Sequence, residues 1–185
     1  AVIAEGEVAQ LVTSNDTGIG EEDYLRVIRA KTATLFKAAC RIGAVVAERP
    51  ETEERALADY GEALGIAFQL VDDALDYGAE RTVLGKEVGD DFRDGKITLP
   101  ILLAFARGSE AERDFWRRTL EELDQRPGDL ERALEILRRR GALRETVERA
   151  AAYGERARRC LDIFPAGPAR DALSDLVDFC VARAF

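Results

Sequence analysis

Between Pro50 and Gly78 the chain contains no proline, and Leu57, Tyr60, Leu64, Ala67, Val71 and Leu75 recur at steps of three and four residues. That is the spacing of one apolar helix face, and it predicts a long helix from Glu51 to Tyr77. The rest of the 185-residue chain reads the same way. A first helix over 1–11 ends in the polar run Thr13 to Gly18. A second starts near Gly20, with Glu21, Glu22 and Asp23 suited to the positive end of its dipole, and runs to about Glu48. Thr98-Leu99-Pro100 opens another, and Ser109 with Glu112 forms a capping box. Arg126 to Asp129 is a turn with Asp129 as its cap, Gly141 stops a short helix, and a further helix reaches about Phe164. Pro165 and Pro168 precede a final helix to the C-terminus. No period-two run demands a strand, so the expected fold is an all-α bundle of about eight helices in one domain.

Composition removes several classes of chemistry. The net charge is −9, the wrong sign for a surface that binds a phosphate backbone. Histidine is absent, so Cys/His zinc sites and His-dependent nucleophile systems are not expected. Cys40, Cys160 and Cys180 are odd in number and widely spaced, and are expected as small buried residues in a reducing, cytoplasmic setting. No apolar stretch approaches a membrane span, and no basic-then-apolar signal opens the chain. The chain starts at Ala1 and has no methionine, so it is expected to be part of a longer protein.

Three features carry possible chemistry. Opposite the apolar face of the long helix lie Gln69, Asp72, Asp73 and Asp76, within an arc of about 100°. Gly65 lies on that side and leaves room there. Three carboxylates at the negative end of a helix repel one another, and no Lys or Arg lies within a turn to offset them. A hard divalent cation sharing phosphate oxygens would; a solvated acidic face is the alternative. Next, Lys31 falls within an apolar stripe formed by Tyr24, Val27, Ile28, Leu35, Ala38, Ile42 and Val45. There it must snorkel, lose its proton or meet an anion, and Thr32 could donate to the same anion. The last is a stretch over 78–98 with no sustained period, holding Gly85, Lys86, Gly89, Asp91, Gly95 and Lys96. Its glycines permit close approach and its lysines supply cations, but it lacks the order of a Walker A loop.

The run from Phe68 to Tyr77, with its Asp72-Asp73-Ala74-Leu75-Asp76, resembles the second aspartate-rich motif of trans-isoprenyl (polyprenyl) diphosphate synthases. Gly85-Lys86 through Gly95-Lys96-Ile97-Thr98-Leu99-Pro100 resembles the motif that follows it. Lys31-Thr32-Ala33 and Gly6 to Leu11 are similar to the family's Lys-Thr and Gly-Glu elements. The likeness is strongest to long-chain octaprenyl and decaprenyl synthases, which make quinone side chains.

This resemblance implies an isoprenoid-synthase-like bundle, a homodimer, and head-to-tail condensation of isopentenyl diphosphate onto an allylic diphosphate with Mg²⁺. It implies that Asp72, Asp73 and Asp76 bind magnesium, and that Lys31 and Lys86 hold the allylic diphosphate. It places Thr32 and Gln69 beside that diphosphate, with Lys96 and Asp91 in the same site. Asp72, Asp73, Lys31 and Lys86 are the residues on which catalysis would depend. The family's first aspartate-rich motif and its paired arginines do not occur in the chain, which corresponds to the C-terminal part of such a synthase. The competing readings are a non-catalytic subunit of a heteromeric synthase, a class I terpene cyclase, and an acidic helical scaffold. Retention of the aspartates and lysines argues against the first. The cyclase reading wants an Asn/Asp-Ser/Thr-Glu motif where Asp72 to Asp76 stand, and the scaffold leaves Lys31 unexplained.

Overall fold

Residues 2–78 and 88–183 are described by a computed structural model of the chain. Its axis is α4 (Glu51–Gly78), which packs along α3 (Thr34–Val46) on one side and α9 (Ala142–Cys160) on the other. Tyr60, Leu64, Ile66, Ala67, Leu70 and Val71 are all at most 3% exposed, so α4 is buried around most of its circumference. Of the two expectations for the carboxylate face, the solvated alternative does not hold: Gln69, Asp72, Asp73 and Asp76 line a cleft. The first turns of α4 keep exposed polar residues such as Glu51, Arg55 and Asp59, while the polar residues of its last turns project into that cleft.

The second expected helix is one rod with a flaw in the middle. α2 (Glu21–Ile28) passes through a π turn at Arg29–Ala33 into α3. A π turn inserts extra backbone and rotates everything beyond it. The predicted stripe is accordingly split. Tyr24, Val27 and Ile28 are buried, whereas Leu35, Ile42 and Val45 are each more than half exposed. Two close approaches hold the turn: a Cβ on Gly6 of α1 (Val2–Thr13) would lie 2.8 Å from the Lys31 backbone nitrogen, and one on Gly65 would lie 2.7 Å from Ala33 Cα. The space at Gly65 is thus filled by backbone, not left for a ligand.

The remaining elements are α5 (Asp90–Arg93), α6 (Leu99–Arg107), α7 (Glu110–Trp116) extended by a second π turn at Arg117–Glu121, α8 (Asp129–Arg139), α9 and α10 (Pro168–Ala182). With each π-interrupted rod counted once, eight helices longer than one turn lie among the described residues, as the periodicity implied. The Ser109–Glu112 capping box forms with both reciprocal hydrogen bonds. Asp129 is the first residue of α8 and not its cap. Its carboxylate accepts from the Arg126 N–H at 2.8 Å and from Arg118, bracing the turn before the helix.

The main core gathers Leu70, Phe92, Leu99, Ile101, Trp116 and Leu137 beneath the cleft. A second core around Tyr60, Ala157, Leu161 and Val177 seats α10. All three cysteines are free; Cys180 is buried, and Cys40 and Cys160 are half-buried. Val8, Leu11 and Val12 of α1 are exposed, so α1 and α3 both present apolar surface. No described helix is long and apolar enough to cross a membrane.

Candidate active site

The last two turns of α4, the π turn after α2 and the segment around α5 enclose a cleft of about 770 Å³. Lys31, Thr32, Gln69, Asp72, Asp73, Asp76, Asp91 and Lys96 all line it. These eight residues, up to 65 positions apart in sequence, thereby reach one cavity. Lys86 lies outside the described residues.

Asp72, Asp73 and Asp76 differ sharply in their surroundings. Asp72 lines the cleft and has no side-chain hydrogen-bond or ion-pair partner among the described residues. Asp73 is only 3% exposed, and both of its oxygens are engaged. One accepts from the buried Tyr24 hydroxyl, the other from Gln69 Nε2 at 2.9 Å. Burial pushes its carboxyl up to about 7, even though both hydrogen bonds favour the charged form. Asp76 accepts the Asp91 backbone N–H at 3.1 Å, which ties the end of α4 to the start of α5. Burial raises its carboxyl to about 6, and the nearby Asp91 adds to the shift. α4 carries no basic residue in its last turn, so its negative pole reinforces this crowding.

The cations enter from the flanks. Lys31 does not sit in apolar surroundings, which corrects the stripe argument: the π turn swings it toward α1, where Nζ donates to Gln10 Oε1 at 2.6 Å and pairs with Glu7 at 3.2 Å. It keeps 38% of its side-chain exposure. Thr32 donates to Gln69 Oε1 at 2.9 Å. Lys96 Nζ donates to Asp91 at 2.6 Å; burial opposes its charge, but Asp91 holds its pKa above the ordinary lysine value. Arg183, at the end of α10, also lines the cleft and stacks its guanidinium over Phe68 at 5.1 Å from the ring centroid.

Two of these contributors are invisible to motif reading. Tyr24 counts as an apolar stripe residue in the sequence, although a buried hydroxyl needs a partner. Arg183 arrives only through packing of α10, and nothing local marks it.

The donor set in the cleft is all oxygen, without imidazole or thiolate, which suits a hard cation such as Mg²⁺ or Ca²⁺. Among the described residues no three acidic or thiol side chains are grouped closely enough to enclose a metal by themselves. A cation here would need oxygens from a ligand as well.

An all-helical bundle with an oxygen-lined, lysine-flanked cleft is the architecture of isoprenoid synthases. The chain belongs to the polyprenyl synthetase family, whose model matches residues 1–137. It is 44% identical to the octaprenyl diphosphate synthase of Escherichia coli K12 over 98% of its own length and 56% of that protein. Among solved structures, a decaprenyl diphosphate synthase from Rhodobacter capsulatus superposes with a TM-score of 0.94 at 48% identity, covering all of this chain and 57% of the other. A polyprenyl synthase from Caulobacter crescentus, solved with calcium and isoprenyl diphosphate, gives 0.95 at 49% identity, covering all of this chain and 56% of the other. The chain therefore spans little more than half the length of these relatives.

Proposed function

We propose that this chain supplies the allylic-diphosphate half of a magnesium-dependent polyprenyl diphosphate synthase that makes a long-chain product. The observation that carries the proposal is the convergence of Asp72, Asp76, Lys31 and Lys96 on one cleft, with Asp72 unpartnered among the described residues. In this reading Asp72 and Asp76 offer oxygens to magnesium, and Asp73 supports them from behind. Lys31 and Lys96 hold the diphosphate from its two flanks, Gln69 adds an amide N–H, and Lys86 belongs to the same set by its motif.

Asp72 and Asp76 would hold the magnesium, which would supply Lewis-acid stabilisation of the leaving diphosphate oxygen. The lysines exchange their present carboxylate and amide partners for phosphate oxygens, and the developing negative charge strengthens those contacts. Heterolysis of the allylic C–O bond releases diphosphate, and the isopentenyl double bond supplies the electron pair of the new C–C bond. Loss of one proton from the adduct, to the departing diphosphate, restores the double bond. A homodimer is part of this reading, supported by the exposed apolar residues Leu35, Ile42, Val45 and Val46 of α3. So is a cytoplasmic location.

Incubating the full-length enzyme with labelled isopentenyl diphosphate, an allylic diphosphate and Mg²⁺ tests the proposal. Chain elongation to a long-chain polyprenyl diphosphate is expected. Label that enters product only after a second, different subunit is added would make the protein a non-catalytic partner. Cyclised hydrocarbon in place of polyprenyl diphosphate would make it a cyclase.

A further inference from the structure

Tyr24 has no part in the reading above, yet it is placed to govern it. Its ring is 4% exposed on α2, two turns before Lys31, and its hydroxyl donates to Asp73 across to α4. Asp73 in turn accepts from Gln69 Nε2, and Gln69 Oε1 accepts from Thr32 in the π turn. Those four side chains form one closed relay between the rod carrying Lys31 and the helix carrying Asp72.

Direction matters in this relay. An amide can face either way, and what orients Gln69 is the ionised carboxylate of Asp73, the form that its two hydrogen bonds favour and that only accepts. With Nε2 turned to Asp73, one N–H of that amide is left uncommitted, and its oxygen is occupied by Thr32. With the amide reversed, two acceptors would face each other at Asp73, and the cleft would present a carbonyl oxygen where phosphate must lie. Asp73 itself can hold this orientation only while its second oxygen is satisfied, because a buried carboxylate oxygen without a donor is costly.

We propose that Tyr24 is a positioning residue: its buried hydroxyl fixes Asp73, and through Asp73 the Gln69 amide, in the orientation that receives magnesium diphosphate. The proposal rests on the functional reading above. It makes Asp73 a brace for its neighbours and leaves direct ligation to Asp72 and Asp76.

The test uses the full-length enzyme and isothermal calorimetry with Mg²⁺ plus inorganic diphosphate, beside steady-state kinetics. Tyr24→Phe keeps the ring and removes the donor. It is expected to weaken magnesium–diphosphate binding and raise the KM for the allylic substrate by about tenfold or more, the usual effect of losing a partner behind a ligand. The KM for isopentenyl diphosphate should change by less than about twofold on the same scale. Asp73→Asn keeps the shape and removes the acceptor-only character, so it should produce a similar loss. The double variant should be no worse than the more impaired single one, because the two act through one path. A lower melting temperature with unchanged binding and KM in Tyr24→Phe would overturn the proposal. So would additive losses, which would place Asp73 on the metal independently of Tyr24. A wild-type enzyme that does not bind magnesium diphosphate overturns the functional reading itself, and is recognised before any variant is compared.

Discussion

The α-carbon of Gly65 on α4 lies so close to Ala33 in the π turn that a methyl group added to Gly65 would stand 2.7 Å from Ala33 Cα and 3.1 Å from its Cβ. Backbone cannot yield there as a flexible side chain could. Gly65→Ala is expected to destabilise by about 1–3 kcal/mol, the usual cost of overpacking. Because the displaced segment carries Lys31 and Thr32, the allylic KM should rise as well. Denaturant titration and kinetics on the full-length enzyme check this; normal stability would show that the rods can separate freely.

Asp72 has no side-chain partner among the described residues, so its removal leaves none of their buried groups stranded. Asp72→Ala is expected to keep its circular dichroism and melting temperature and to lose about a hundredfold or more in turnover, since each 1.4 kcal/mol of lost metal stabilisation is tenfold in rate. An unfolded variant or one with normal turnover contradicts the assignment.

Lys31 now has identified neighbours. Its contacts with Glu7 and Gln10 are partly exposed, and such a pair contributes about 0–1 kcal/mol. Lys31→Gln should therefore scarcely shift the melting temperature. Against phosphate the same cation is worth roughly 2–5 kcal/mol, so the allylic KM should rise, turnover fall, or both. Unchanged kinetics would reduce Lys31 to a surface contact with α1.

Much of this architecture is legible in the sequence, and the exceptions share a cause. Helix boundaries follow from Pro50, Pro100, Ser109 and Gly141, which act locally. The π turn at Arg29–Ala33 has no local signature, and a helical wheel drawn through it assigns Lys31 to the wrong neighbours. α4 resembles an ordinary amphipathic helix because periodicity reports its stronger face and not that α3 and α9 cover both sides. Tyr24 meets Asp73 from 49 residues away, and Arg183 reaches the cleft from the last helix, so only packing reveals either.

The carboxylates give a pH dependence of defined sign. Asp73 and Asp76 ionise near 7 and 6 in the folded chain, against 3.8 unperturbed. Between about pH 4 and 7 the folded state therefore binds more protons than the unfolded one, and stability falls as pH rises. Glu112 is held down to about 2, chiefly by Arg140, and acts only below about pH 4.5, so the comparison belongs above pH 5. Metal-free protein should melt at a lower temperature at pH 8 than at pH 5.5, and Asp73→Asn should flatten the difference. A stability that rises over this range would contradict the burial argument.

The central claim is that the cleft binds magnesium and diphosphate together and neither well alone. Calorimetry of the full-length enzyme with Mg²⁺ alone, a non-cleavable allylic diphosphate analogue alone, and both together measures it directly. Weak binding of each alone and binding at least about tenfold tighter together is expected, because the carboxylates supply only part of an octahedral shell. Tight magnesium binding without diphosphate, or analogue binding indifferent to magnesium, would contradict it.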